Sequence, residues 1–252
     1  MLKNLYFISD IHLHCYHSES ETRKKNYLFD FFREVQNNKG ILYIVGDMFD
    51  FWFEYKHVIP RHFFKVLRYL QEMVESGCEI HILAGNHDYW FESFFPGELG
   101  VKVHLEHVEA EFNGKSFLIT HADGILKQER GYRFMKKILR NRFIITMFRM
   151  IHPDLAFRIA KFFSARSRHL TLRNPDLVED GLRELLEYGE KKINEGYQYV
   201  VTGHFHLPTE HQYEQGKIIN LGDWIRYFTF GYFDGDELSL CYWKRKSLKT
   251  LL

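Results

Sequence analysis

The chain has 252 residues, 45% hydrophobic, 17% aromatic and 27% charged, enough to bury a sizeable core and too aromatic for a disordered or fibrous protein. No apolar run reaches the roughly 18 residues of a membrane span, and the amino terminus meets Asp10 before a signal-peptide core can form, so a cytoplasmic chain is expected. Net charge is +1, yet residues 127–173 hold thirteen Lys and Arg against two acidic residues, a segment suited to phosphate, nucleic acid or anionic lipid, or to a solvated basic face. Cys15, Cys78 and Cys241 are odd in number and lack a CxxC spacing, which argues for reduced packing residues rather than disulfides or a zinc-thiolate site.

In chain order, Asn4 to Ser9 carries the bias of a strand and Lys24 to Gln36 the periodicity of an amphipathic helix. A second strand, Ile41 to Val45, runs into Gly46-Asp47, helical spacing returns from Pro60 to Ser76, and a third strand, Glu79 to Ala84, ends at Gly85-Asn86-His87-Asp88. This βαβαβ opening implies a parallel sheet. Val101 to Phe112 and Lys115 to Thr120 alternate around Asn113-Gly114, a hairpin signal, and lead to His121. Lys127 to about Ala165 reads as helical, basic on some faces and apolar on others, and Pro175 to Asn194 as a further helix. A strand, Tyr197 to Thr202, ends at Gly203-His204-Phe205-His206. The carboxyl end reads as antiparallel strands at Glu210 to Tyr213, Lys217 to Leu221, Ile225 to Phe233 and Glu237 to Trp243.

Five segments therefore follow strands and present metal-type donors: Asp10 and His12, Asp47, Asn86 to Asp88, His121, and His204 with His206. Residues just past the carboxyl ends of strands gather in one crevice of an α/β sheet. Asp and His supply oxygen and imidazole donors, Asn86 a neutral carbonyl oxygen, and Asp47 a carboxylate able to bridge two cations about 4 Å apart. Two such cations acidify a shared water and clamp phosphoryl oxygens, which makes hydrolysis of a phosphate ester or anhydride the natural reaction.

The order and identity of these residues resemble the calcineurin-like metallophosphoesterases, with their DxH, GDxxD, GNHD, H and GHxH motifs, over about residues 4 to 222. The resemblance implies a four-layer α/β/β/α sandwich, one domain over 1–252 with a helical cap inserted at about 127–173. It implies two divalent metal ions, Mn foremost with Fe, Zn or Co as alternatives. Asp10, His12, Asp47 and His206 would hold one, and Asp47, Asn86, His121 and His204 the other. His87 would be a catalytic donor near the substrate phosphate with Asp88 setting its orientation, and Asp50 a support for a ligand or loop.

Within the superfamily the chain looks most like the UDP-2,3-diacylglucosamine pyrophosphatases of lipid A synthesis, through FISDIHLH (7–14), GDMFDFW (46–52), the insertion after His121 and GHFHLP (203–208). That resemblance implies an acylated UDP-sugar substrate, UMP and the acylated sugar 1-phosphate as products, and peripheral attachment to the anionic inner membrane, with no nucleic acid or protein partner. Asn86, His87, Tyr132, Glu129 (where the family has Asp) and Ser167 would contact substrate, and Arg166 and Arg168 could substitute as phosphate partners where the match decays. The best-known lipid enzyme has Arg where this chain has His87, and Leu170 and Thr171 depart from its pattern. Three other readings stand beside it: another nucleotide pyrophosphate or phosphodiester as substrate, a nuclease, or a metal-bound scaffold without turnover. Leu221-Gly222-Asp223-Trp224 resembles a GDW turn, with Gly222 permitting the turn and Trp224 in the core. The remaining histidines, His14 among them, read as surface or packing residues.

Overall fold

The computed structural model describes residues 3–160 and 175–243. Strand β1 (Leu5–Ile8), β2 (Ile41–Val45), β3 (Glu79–Leu83) and β4 (Lys102–His104) pair in parallel. The antiparallel hairpin β10 (Thr229–Phe233) and β11 (Leu238–Tyr242) adds on the free side of β1, giving the order β11-β10-β1-β2-β3-β4. The second sheet has the order β5-β6-β7-β9-β8, from β5 (Val108–Phe112), β6 (Lys115–Thr120), β7 (Tyr199–Thr202), β8 (Thr209–Gln212) and β9 (Lys217–Asn220).

Strand residues point alternately to opposite faces, and that alternation sorts them into layers. Leu5, Phe7, Tyr43, Val45 and Leu83 of the first sheet meet Phe117, Ile119, Tyr199, Val201 and Ile219 of the second in one inter-sheet core. The alternate residues Tyr6, Ile8, Leu42, Ile44, Ile80 and Ile82 face α1 (Glu19–Asn37) and α2 (Phe64–Glu75). Those helices bury Leu28, Phe31, Phe32 and Val35, the i, i+3, i+4, i+7 stripe of an amphipathic helix, and Val66, Leu67, Leu70 and Met73 along one face of the other. On the far side Leu118, Val200 and Ile218 face Leu185 and Ile193 of α6 (Pro175–Asn194). The result is the expected α/β/β/α sandwich.

Several boundaries differ from expectation for physical reasons. Helix α1 begins five residues before Lys24, because Ser18 caps it by accepting a hydrogen bond from Glu21 N while its first turn carries no apolar periodicity. The strand expected over 101–112 divides: β4 completes the first sheet and β5 opens the second, so a continuous alternating pattern hides a change of sheet. The Asn113-Gly114 turn is as expected, with φ of 52° and 74°. Among the carboxyl-terminal strands β8 pairs antiparallel with β9 and β10 with β11, as expected, although β10 begins only at Thr229, while β9 also runs parallel to β7.

Among the described residues the insertion after His121 is helical, as expected, in several short pieces. After a 3-10 turn at Lys127–Glu129 come α4 (Arg130–Leu139) and α5 (Arg142–Arg149), then helical residues 153–160. Asn141 separates α4 from α5 by accepting from Phe143 N at 2.9 Å, and Pro153 suits the first turn of the next helix. This cap docks on aromatic side chains of the loops after β2 and β3. Phe53 and Phe148 lie 4.8 Å apart, Phe51 and Phe157 5.0 Å apart, and Trp90 donates its indole N–H to Leu139 O at 3.1 Å.

Candidate metal centre

The loops after β1, β2, β3, β6 and β7 converge at one end of the sandwich. The first two continue side by side beyond their strands, with Asp10 N on Gly46 O at 3.2 Å and His12 N on Asp47 O at 2.9 Å. Asp10, His12, Asp47, His204 and His206 all take positive φ, between 45° and 72°. Left-handed backbone at non-glycine residues is costly and persists where the surroundings enforce it, characteristically at functional sites. Glycines admit the close approach: a Cβ on Gly85 would lie 2.0 Å from Asp47 Oδ1, and one on Gly203 2.0 Å from Ser9 Oγ.

Two donor sets result. In the first, His206 Nε2 lies 3.3 Å from His12 Nε2 and 3.4 Å from Asp10 Oδ1, and His12 Nε2 lies 3.6 Å from Asp47 Oδ2. In the second, His121 Nε2 lies 3.5 Å from Asp47 Oδ2 and 3.2 Å from Asn86 Oδ1, which is 3.0 Å from His204 Nδ1. Asp47 Oδ2 thus stands between the sets, facing a histidine of each. Asp10 Oδ1 is buried without a hydrogen-bond partner, which is costly unless a cation faces it. The residues fit two divalent cations with a shared carboxylate.

Supporting groups hold the rings. His121 Nδ1 is 2.9 Å from Val45 O and His206 Nδ1 3.4 Å from Asp223 Oδ2; a ring N–H donated there leaves the Nε2 lone pair facing the centre. Asp10 Oδ2 accepts from His204 N at 2.9 Å and from Ser9 Oγ. Asp88 accepts from the backbone N–H groups of Asp47, Gly85 and Phe49 at 3.2, 2.9 and 3.1 Å. It therefore ties the two loops together, and the orientation of the His87 ring comes instead from Asp50, whose carbonyl oxygen is 3.0 Å from His87 Nδ1. The His87 ring stands edge-on to His12 at 4.8 Å.

The electrostatics of the ion-free chain call for positive charge. Burial alone raises Asp10 and Asp47, but neighbouring histidines, His206 for Asp10 and His121 for Asp47, outweigh it and hold both carboxyls well below the usual range. Burial opposes protonation of His121, yet the Asp47 charge outweighs it and pushes the imidazole up to about 10. His206 is raised likewise, burial being overcome by Asp10. His12, dominated by burial, falls to about 4. Burial, then the Asp47 charge, lifts Asp88 to about 7.

The cap reaches this centre directly. Glu129 Oε1 lies 3.1 Å from His204 Nε2, so the Glu129 carboxylate sits beside one of the candidate ligands. Tyr132 donates to Asp123, two residues past His121, and its ring lies 6.5 Å from that of His204. Arg166, Ser167 and Arg168 lie outside the described residues. Sequence reasoning passed over three groups: Asp223 as the partner of His206, Asp123 as the anchor of Tyr132, and His14, whose Nδ1 is 3.2 Å from Asp50 Oδ2. Only Asp223 carried a signal, a Gly-Asp pair after a strand like Gly46-Asp47. Trp224 is fully buried and donates to Thr229 O, and Gly222 turns at φ 71°.

A family model for calcineurin-like phosphoesterases matches residues 3–208. The chain belongs to the calcineurin-like phosphoesterase family, whose members use divalent metals, and it is a hydrolase. It is 30% identical to a UDP-2,3-diacylglucosamine hydrolase of Porphyromonas gingivalis, over 95% of this chain and 97% of that protein. A protein of the same name from Proteus mirabilis is 27% identical over 81% of this chain and 82% of its own. A solved archaeal phosphodiesterase shares 13% identity at a TM-score of 0.47, covering 95% of this chain and 99% of its own.

Proposed function

We propose that the protein hydrolyses the pyrophosphate bond of UDP-2,3-diacylglucosamine, giving UMP and 2,3-diacylglucosamine 1-phosphate, with one catalytic domain over 1–252 and the cap at about 127–173 as its lipid-binding part. The observation that carries the substrate is the cap itself: apolar, basic helices joined to the candidate centre through Glu129 and His204. Phe134 and Phe143 are 68% and 70% exposed there, with Met135, Ile138 and Met147 also exposed, among Lys136, Lys137 and Arg142. Apolar side chains suit acyl chains, and cations suit a pyrophosphate. Relatives named for this substrate along nearly the whole chain support the reading.

Asp10, His12, Asp47 and His206 would hold one divalent ion, and Asp47, Asn86, His121 and His204 a second, Mn being the first choice for this donor set with Fe, Zn or Co as alternatives. Bound there, such ions would lower the pKa of a coordinated water and neutralise phosphoryl oxygens. The chain supplies the rest. His87, whose Nδ1–H donates to Asp50 O, would in its imidazolium form also donate from Nε2 to a phosphoryl or leaving oxygen, which stabilises developing charge. Asp88 keeps the Asp47 and Asn86 loops in register. Glu129, Tyr132 and the cap residues Arg166, Ser167 and Arg168 position the sugar and phosphates, with Asn86 and His87 at the reacting phosphate.

Among the described residues no helix is long and apolar enough to cross a membrane. The exposed face of α4 and α5 would instead lie on the anionic surface of the inner membrane from the cytoplasmic side, as amphipathic basic helices do. No nucleic acid or protein partner is invoked.

The test compares turnover of UDP-2,3-diacylglucosamine in detergent with that of its deacylated analogue and of a simple phosphodiester. Preference for the acylated nucleotide by tenfold or more in kcat/KM supports the reading. Equal turnover of all three favours the second reading, another nucleotide pyrophosphate or phosphodiester, to which His87 in place of Arg also points.

A further inference from the structure

Helix α1 carries a buried ion pair that belongs to none of the ligand-bearing loops. Lys24 and Glu21 are only 5% and 3% exposed, and their charged atoms lie 2.8 Å apart. Buried Lys and Glu are rare without a function or an exacting set of partners. Here the partners lie in the loop after β1. Lys24 Nζ donates to the backbone carbonyl of His12 at 2.6 Å, and Glu21 Oε1 accepts from His14 N at 3.1 Å. The pair thus grips the backbone on either side of Leu13, while Asp47 O and Met48 O hold His12 N and Leu13 N at 2.9 Å each.

His12 needs such a grip. It is buried, its backbone sits in the left-handed region at φ 45°, and Asp10, two residues before, is left-handed at 53°. Strain of this kind survives only where contacts over-determine it. Loss of the Lys24 ammonium would leave His12 O buried without its charge-assisted donor, and the loop could relax toward ordinary backbone, turning the His12 ring away from Asp10 and His206.

We infer that Lys24 and Glu21 are positioning residues for the candidate metal centre, locking the left-handed His12 backbone so that the His12 ring faces Asp10, Asp47 and His206. This rests on the dinuclear reading proposed above. The ion held by Asp10, His12 and His206 depends on the pair, and the ion held by Asn86, His121 and His204 depends on it much less.

The experiment titrates Mn²⁺ into the full chain by calorimetry and follows thermal unfolding of the chelated proteins. The variants are Lys24→Met, Glu21→Gln, the double variant, and Asp10→Ala as control. Lys24→Met should weaken one of two binding steps by about 10- to 100-fold, the range for groups that orient ligands, and leave the other within about threefold. The double variant separates positioning from packing. Replacing both members of a buried pair restores stability, so its unfolding temperature should recover toward the parent while Mn²⁺ affinity stays low, because His12 O still lacks its donor. An affinity that recovers together with stability, or parental affinity in folded Lys24→Met, overturns the inference. If Lys24→Met fails to fold, Glu21→Gln and the double variant carry the same comparison. If Asp10→Ala also binds two Mn²⁺ normally, the dinuclear reading itself fails, an outcome distinct from failure of the clamp alone.

Discussion

Glu129, in the 3-10 turn that opens the cap, accepts from Nε2 of His204 at 3.1 Å, while the other nitrogen of that ring faces Asn86. The inserted helical segment and a candidate metal ligand are thereby joined by one hydrogen bond. Burial raises the Glu129 carboxyl, but the His204 ring together with the Leu126 and Gly124 backbone outweighs it, so the net shift is downward.

Removing that bond should be felt at both ends. Glu129→Ala is expected to lower affinity for one Mn²⁺ by about tenfold or more, as loss of ligand-orienting partners does, and to lower kcat by a similar factor. Calorimetry with Mn²⁺ and steady-state kinetics check it; a rise in KM alone would make Glu129 a substrate contact and nothing more.

Stability of the metal-free chain should fall as pH rises above neutrality. His121 is lifted from 6.5 to about 10 by Asp47 against the cost of burial, and Asp88 from 3.8 to about 7 by burial. A group raised on folding stabilises fully below its unfolded pKa and loses that contribution as pH rises through its folded value. The Asp88 contribution is therefore lost up to about pH 7 and that of His121 between 6.5 and about 10. His12, depressed to about 4, acts in the opposite window: its contribution is present above 6.5 and lost as pH falls through about 4. Scanning calorimetry with chelator should show the alkaline decline, and Mn²⁺ should flatten it, because a bound cation displaces the His121 proton.

Gly85 tests the crowding at the shared carboxylate. With a Cβ only 2.0 Å from Asp47 Oδ1 and 2.5 Å from Asp47 N, Gly85→Ala must displace Asp47 or the loop that carries Asn86. Loss of Mn²⁺ binding and turnover by at least about 100-fold is expected, with far-ultraviolet circular dichroism unchanged; this uses the upper range for disturbed metal sites. Normal Mn²⁺ binding by Gly85→Ala would remove Asp47 from the proposed role.

The inter-sheet core should behave differently. Phe117 is fully buried, with Tyr199 and Phe233 rings 4.9 and 5.1 Å away. Phe117→Ala should cost about 3–5 kcal/mol of stability, typical of large-to-small core changes, with Mn²⁺ affinity of the folded protein preserved. Denaturant titration and calorimetry separate the two effects.

The parts legible in the sequence are those where one residue type at a strand end does one job. Asp10, His12, Asp47, Asn86, His121, His204 and His206 could be read together because each follows a strand, and parallel strands deliver their ends to one edge. Phe112 and Lys115 flank a turn whose Asn-Gly pair specifies its own geometry. Strand 101–112 misled because alternation does not reveal which sheet a residue joins; the chain changes sheet between His104 and Val108. Lys24, Glu21 and Asp123 were not legible as site residues because their work is tertiary. Each bonds to a group brought near by packing, and no spacing in the sequence marks that encounter.

Reconstitution tests whether the protein is a two-metal hydrolase of an acylated nucleotide sugar. Metal-stripped protein would be reconstituted with Mn²⁺, its ions per chain counted, and its action on UDP-2,3-diacylglucosamine followed by phosphorus NMR alongside Asn86→Ala and His87→Ala. Two ions per chain are expected, UMP and 2,3-diacylglucosamine 1-phosphate appearing in equal amounts, one ion lost in Asn86→Ala, and turnover collapsing in both variants while His87→Ala keeps both ions. Turnover by the stripped protein, or a fully loaded protein that leaves this substrate intact, would contradict it.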